Sequence, residues 1–334
     1  MRALVLSRYG GPECTALIDV SPPSPRPGQI LVRIRAAGLN PVDFKTRAGA
    51  LKIIHRYPLP IVMGNELSGV VEAVGPGVMR FAEGDRVYAR VDKHVMGAFA
   101  EYAVVDEDHA AGMPASLDFP PAAAVPLAAL TALQALRDEL YLSTGQRVFI
   151  PGGAGGVGTF AIQIAKHLGA YVATTASPRG EALVKRLGAD EVIDYTRERF
   201  DEKLSGYDSA FDLLGGDTPA RLWSVLKPGG RVVSIAGMPE PMTAQKDLGR
   251  GIGLAALFWV ASLTTRVRAV RHGCTYRYLF MHPSGADLAY LASLIDDKKL
   301  EVVIDRVFPF AEAKEAMAYL ETGHAKGKIV LAMS

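Results

Sequence analysis

The chain has 334 residues, more than one ordinary domain of roughly 150 residues holds, so two domains are expected. Hydrophobic residues at 49% and charged residues at 22% give the balance of a globular protein with a large core, and 37 basic against 35 acidic side chains leave +2, so no global charge argues for nucleic acid or an anionic membrane. Two cysteines, Cys14 and Cys274, exclude a disulfide framework and any multi-cysteine zinc site.

From the N-terminus, residues 1–6 contain no long apolar run, no signal peptide is visible, and a cytoplasmic location in a reducing compartment is expected. Residues 29–35 alternate and stop at Gly38; residues 68–75 and 85–91 read as further strands. Short strands punctuated by Gly and Pro predict a barrel-like β domain, with the proline-rich segment 22–28 as an exposed loop. Residues 122–140, rich in Ala and Leu, predict a helix lining an interior. Strands at 147–150, 171–175, 191–194, 209–214 and 231–236 then alternate with helical patterns, which predicts a parallel sheet with helical crossovers. The apolar stretch 251–265 is shorter than the ~18 residues of a membrane span, so no integral span is expected. It reads as a buried helix or an apolar interface, with contact to a membrane surface as the other reading. Helices near 287–297 and 311–321 and strands near 302–306 and 328–332 complete the chain.

The sharpest local signal lies at 149–158, where Gly153, Gly155 and Gly158 satisfy G-x-G-x-x-G between a strand and an amphipathic helix. The first glycine permits the tight turn, the second admits a pyrophosphate, and the third lets helix and strand pack closely; the helix N-terminus attracts the phosphates. A dinucleotide is therefore the expected ligand. The next strand ends Thr174-Thr175-Ala176-Ser177-Pro178-Arg179, without the acid that accepts from a ribose 2′-hydroxyl. Ser177 can donate to a 2′-phosphate and Arg179 can pair with it, which favours NADPH.

Several ordered motifs accompany this loop. They are Gly-Leu-Asn-Pro-Val-Asp-Phe-Lys at 38–45, Gly-Asn-Glu-Leu-Ser-Gly-Val-Val-Glu-Ala-Val-Gly at 64–75 and Phe-Ala-Glu-Gly-Asp-Arg-Val at 81–87. Ala-Leu-Thr-Ala at 129–132, Leu-Gly-Ala-Asp at 187–190 and Gly-His-Ala-Lys-Gly-Lys-Ile-Val at 323–330 follow. With them the chain resembles the medium-chain dehydrogenase/reductase superfamily, and within it the zinc-independent quinone oxidoreductase and alkenal (enone) reductase group. The resemblance implies an α/β protein in which a GroES-like β-barrel catalytic domain, 1–123 and 266–334, is interrupted by a Rossmann domain with a doubly wound parallel sheet, 124–265. Where zinc-dependent members carry a cysteine ligand this chain has Asn40; where they carry a histidine it has Asn65; the region of the third ligand is Pro126-Leu127-Ala128. Amides are poor zinc ligands, and His55, His94, His109 and His324 show no ligand spacing, so no metal is expected.

Without a Lewis acid, simple alcohol oxidation is difficult, whereas a conjugated acceptor delocalises the charge that hydride brings. The resemblance thus implies an NADPH-dependent reductase of an apolar carbonyl or quinone substrate. Asn40 and Lys45 are the candidate donors to the substrate oxygen, Lys45 otherwise touching a cofactor phosphate, and Asp43 is expected to order their turn or take part in proton transfer. Cofactor contacts are implied for Thr131, Gly156, Val157, Tyr195, Ile235, Ala236 and Gly237, with Phe280 and Met281 closing the pocket and Lys328 reaching the cofactor. Residues 254–260 lie where relatives form an inter-subunit strand, which implies a homodimer or an apolar cleft. An enoyl-thioester reductase and a non-catalytic NADPH-binding protein are the alternatives; the absence of a basic stripe weighs against nucleic acid.

Overall fold

The computed structural model describes residues 1–333. Its strands, in chain order, begin with β1 (Arg2–Leu6), β2 (Thr15–Asp19), β3 (Gln29–Leu39), β4 (Ile61–Val62), β5 (Glu66–Val74), β6 (Arg86–Arg90), β7 (Tyr102–Asp106) and β8 (Ala110–Gly112). They continue with β9 (Arg147–Ile150), β10 (Tyr171–Ala176), β11 (Glu191–Asp194), β12 (Tyr207–Asp212), β13 (Leu226–Ser234), β14 (Thr275–Tyr278), β15 (Ile304–Pro309) and β16 (Lys328–Ala332). The helices are α1 (Pro41–Arg47), α2 (Phe119–Ala123), α3 (Pro126–Leu133), α4 (Gly156–His167), α5 (Pro178–Arg186) and α6 (Phe200–Lys203). They are followed by α7 (Thr218–Leu222), α8 (Ile252–Ala261), α9 (Leu263–Arg271), α10 (Gly285–Asp296) and α11 (Ala313–Glu321).

Two compact units result: Met1–Leu130 with the chain from Pro283 onward, and Thr131–His282. In the first, β3 alternates buried and partly exposed residues before its last four positions are all buried. It forms the spine of a seven-stranded sheet of order β15-β16-β3-β5-β6-β8, with β7 also on β3, and a smaller sheet β2-β1-β4 accompanies it. The decisive pairing is β16 antiparallel to β3, with Ile329 opposite Leu39 and Val330 opposite Gly38. It closes the unit from both ends of the chain around a core that includes Leu4, Leu6, Cys14, Met63, Phe99, Phe308 and Met317.

In the second unit six parallel strands run in the order β11-β10-β9-β12-β13-β14. The order reverses between β9 and β12, the topological switch point where ligands bind in such sheets. Phe149, Phe200, Tyr207, Trp223 and Val232 pack one face, together with Cys274. Both cysteines are thus buried in separate cores and unpaired. The division differs from the sequence reading, which assigns 266–282 to the completion of the first domain. Those residues belong with the parallel sheet because β14 pairs with β13, Val232 opposite Tyr276 and Val233 opposite Arg277.

Two further expectations change. Residues 122–140 do not form one helix: Pro126 biases Val125 away from helical geometry, so α2 and α3 are separate, and a π-helical turn, Gln134–Glu139, follows. The stretch placed with an inter-subunit strand is helical, forming α8 and leading into α9. Ser262 ends α8, its hydroxyl donating back to the Phe258 carbonyl at 2.6 Å, and the two helices diverge by 61°. Among the described residues no single helix is long and apolar enough to cross a membrane.

Candidate active site

The first unit buries a polar cluster where β3, α1, β5 and β16 converge. The Lys328 ammonium donates to the Leu39 carbonyl at 2.9 Å, to Asn40 Oδ1 at 2.5 Å and to Glu66 Oε1 at 2.7 Å, which uses its three N–H bonds. Asn40 Nδ2 donates to Glu66 Oε1 at 2.6 Å and to the Gly38 carbonyl at 3.4 Å. Glu66 Oε2 accepts the backbone N–H of Leu127 at 2.6 Å. Asn65 Nδ2 donates to Asp43 Oδ1 at 2.6 Å, while Asp43 Oδ2 accepts the backbone N–H of Asn40 at 2.7 Å. Arg90, also buried, donates to the carbonyls of Asn65 and Val91.

Local sequence explains this frame. Pro41 starts α1 with its φ already helical, and Asp43, three residues after Asn40, reaches back to an N–H that the helix leaves without a partner. Gly38 is required because a Cβ there would lie 2.3 Å from Glu66 Oε1 and 2.6 Å from the Ala123 carbonyl. Burial pushes the Asp43 carboxyl up to about 6, against the opposing pull of its bonds from Asn65 and Asn40 and the charge of Lys328. The same burial holds Arg90 below the usual guanidinium range.

These contacts revise two sequence assignments and keep one of the two roles expected of Asp43. Asn40 was expected to donate to a substrate oxygen, but its two amide hydrogens are engaged by Glu66 and Gly38. Lys328 was expected to reach the cofactor, but its ammonium points into this cluster and is 3% exposed. Asp43 orders the turn and is fully buried. Lys45, on the same helix, is exposed. The positions Asn40 and Asn65 and the segment of Leu127, where the resemblance puts metal ligands, all bond into one network. Glu66 and Arg90 were missed, although an acid opening an otherwise apolar strand, Glu66-Leu67-Ser68-Gly69-Val70-Val71, is itself a signal of a buried partner. His109, without ligand spacing in the sequence, lies near Asp106 and Asp92, with ligand atoms all within 4.8 Å of one another.

In the second unit β9 leads through the glycine turn into α4. The turn residue is Gly152, with φ of +82°, not Gly153 as the sequence spacing suggests. Gly153 is fixed by proximity instead: a Cβ would lie 2.2 Å from Thr174 Oγ1 on β10. Gly158 packs so closely on the turn that a Cβ would meet the Gly152 carbonyl at 2.4 Å. At Gly155 a Cβ would find only that carbonyl, at 3.5 Å, so a side chain would project into open space at the helix N-terminus. No side chain caps α4 there, and the N–H groups of Gly156, Val157 and Gly158 open the helix. An uncapped, positively polarised N-terminus beside open space fits a pyrophosphate.

Neighbouring strands hold this loop. Thr175 Oγ1 accepts the N–H of Gly152 at 2.9 Å, and Thr174 Oγ1 donates to the Ile150 carbonyl at 2.6 Å. Ser177 is the N-cap residue of α5 but its side chain makes no capping bond; Arg179 is exposed two residues on, and Tyr195 is exposed after β11. Asp194, opposite Ala176, is held by Thr196. Ile235, Ala236 and Gly237 leave β13 over Ser234, whose hydroxyl donates to Asp212 Oδ2 at 2.6 Å and accepts from the N–H of Ala236 and Gly237. Asp212 and Ser234 were not singled out by sequence, although they shape the segment that was. Thr131 is buried in α3, and Met281 is buried at the end of the unit. The N–H of Phe280 donates to Asp247, which joins Glu139 and Glu240 around the buried Arg277.

Comparison with known proteins places this architecture. Residues 26–115 match the alcohol dehydrogenase GroES-like domain family and residues 187–331 the zinc-binding dehydrogenase family. The chain is 35% identical to the zebrafish (Danio rerio) mitochondrial NAD(P)H oxidoreductase RTN4IP1, covering 92% of this chain and 84% of that one. It is 36% identical to the chloroplastic NADPH-dependent alkenal/one oxidoreductase of Arabidopsis thaliana, over 99% and 79% of the two chains. The structure of the quinone oxidoreductase from Coxiella burnetii superposes with a TM-score of 0.87 at 33% identity, covering 100% of this chain and 99% of that one. The chain belongs to the quinone oxidoreductase group of the medium-chain dehydrogenase/reductases. It is an oxidoreductase built on a GroES-like domain and a Rossmann domain.

Proposed function

We propose that the protein is an NADPH-dependent reductase that transfers hydride, without zinc, to a quinone or an α,β-unsaturated carbonyl. The observation that carries this reading is the Lys328–Asn40–Glu66 cluster. Two amides, two carboxylates and an ammonium do not form a zinc donor set, and an ammonium already satisfies the carboxylate that faces it. An acceptor that spreads incoming charge by conjugation needs no Lewis acid, only orientation and a few donors to its oxygen.

When bound, the nicotinamide would supply hydride. The chain's own residues do the rest. The N–H groups at 156–158 bind the pyrophosphate, Ser177 and Arg179 face a 2′-phosphate while the acid in the first turn of α5, Glu181, is paired with Lys185, and the Asp212–Ser234 pair fixes the backbone at 235–237. With Asn40 and Lys328 turned inward, Lys45 is the exposed cation of the α1 turn and the donor assigned to the acceptor oxygen. The names of the Arabidopsis and Coxiella relatives agree with this substrate class.

The test is oxidation of NADPH and of NADH with a quinone, a 2-alkenal, a vinyl ketone and crotonyl-CoA, with and without a chelator. Turnover of a quinone or enone, preference for NADPH and indifference to chelation are expected. Loss of activity on chelation would overturn the zinc-free assignment, and equal use of NADH would overturn the role of Ser177 and Arg179. Turnover confined to crotonyl-CoA would move the substrate to enoyl thioesters.

A further inference from the structure

Helix α8 carries no charged residue, yet most of its surface is bare. Ala255 and Phe258 face inward, while Ile252, Leu257, Trp259 and Val260 are exposed, Ile252 at 82% and Val260 at 66%. A helix apolar on every side is ordinarily buried. Across the bend, α9 adds exposed Leu263, Val267 and Val270. The same segment is strongly one-signed. Between Asp247 and Asp287 there is no acidic residue, and Arg250, Arg266, Arg268 and Arg271 accompany the apolar side chains. The Arg266 guanidinium lies over the Trp259 ring, 5.2 Å from its centroid.

We propose that α8 and α9 together form a docking surface for an anionic lipid bilayer. An apolar face beside arginines, with a tryptophan between them, is the chemistry of a helix lying in the headgroup region. The ten residues of α8 span about 15 Å and its partner diverges by 61°, a geometry for resting on a bilayer rather than crossing one. Charge decides against a second copy of this chain as the occupant. A two-fold interface would set this face against the same face of a second copy, two surfaces of one positive sign with no acid in the segment to pair either. Phospholipid headgroups supply the missing negative charge. The whole-chain charge of +2 gives no hint of this, because the basic residues are concentrated locally. The inference is independent of the reductase reading.

The experiment is co-sedimentation of the full chain with vesicles of phosphatidylcholine alone or with one third phosphatidylglycerol, read together with tryptophan emission. Of the two tryptophans Trp223 is buried, so Trp259 reports the surface. Binding to the anionic vesicles is expected, reversed by high salt, with a blue shift that Trp259→Phe abolishes. Arg268→Gln and Arg271→Gln should each weaken partitioning about fivefold, and Val260→Glu by more than tenfold, with circular dichroism unchanged because these side chains are exposed. Equal sedimentation with neutral and anionic vesicles, or none with either, would overturn the proposal. So would a solution dimer that Val260→Glu dissociates, since the face would then belong to a second copy.

Discussion

The two units treat their key polar groups in opposite ways. In the catalytic unit the positions that could have held a metal are filled by the chain itself, with an ammonium and two amides bonded to two carboxylates. In the nucleotide unit the positive end of α4 is left uncapped, and the glycine beside it opens onto free space. One centre is complete without a ligand and the other is arranged to receive one.

That contrast can be broken by removing the internal cation. Lys328→Met would leave Glu66 buried without its counter-charge and should cost about 3–5 kcal/mol in urea unfolding. Combining it with Glu66→Gln should recover part of the loss. A deficit below about 1 kcal/mol for the single variant would mean that water replaces the ammonium, and the claim of self-sufficiency would fail.

Ligand addition sharpens the other half. NADPH at a hundred times its dissociation constant should stabilise the protein by about 2.7 kcal/mol. Added zinc should leave stability unchanged; a zinc-dependent rise would show that the cluster opens to a metal.

A pH series addresses the buried acid. Asp43 titrates near 6 in the folded protein against an ordinary value of 3.8, so the folded state holds its proton more tightly. The sign is therefore unlike that of a salt-bridged carboxylate. Asp43 favours folding at low pH, and that contribution, on the order of 2 kcal/mol, is lost as pH rises from about 4 through 6. Asp43→Asn also disturbs the bonds to Asn65 and Asn40, so the slope between pH 4 and 7 is the readout. A slope equal to that of the parent protein would sink the assignment.

The smallest effect distinguishes room for a ligand from room needed by the fold. Gly155→Ala should weaken NADPH binding by about tenfold, roughly 1.4 kcal/mol, while leaving urea unfolding of the free protein within about 0.5 kcal/mol. Gly158→Ala should lower both, because its Cβ meets backbone rather than open space. Titration calorimetry on the two variants, showing equal losses, would remove the distinction.

The glycine loop was legible in the sequence because its constraints are local, Gly153 to Gly158 lying at a single strand-to-helix junction, although the residue that turns is Gly152. The alternation of strands and helices likewise announced the parallel sheet. The cluster around Glu66 was not legible, since Lys328 and Asn40 stand 288 positions apart and meet only through the pairing of β16 with β3. The amides at 40 and 65 were legible as departures from a cysteine and a histidine, but nothing local revealed the bonds they make. The domain boundary was misplaced for a related reason. β14 follows a long apolar segment that resembles a break, and only its register with β13 assigns it to the sheet.

The closure of the first unit by β16 also orders events during synthesis. A ribosome extends the chain from its N-terminus, and domains generally fold as they emerge. All residues of the nucleotide unit, through His282, leave the exit tunnel before Lys328 does. Until that lysine arrives, Glu66 lacks the ammonium that bonds it and the 36–39 end of β3 lacks its strand partner. The insert therefore matures first, and the domain that begins the chain is the last to be finished.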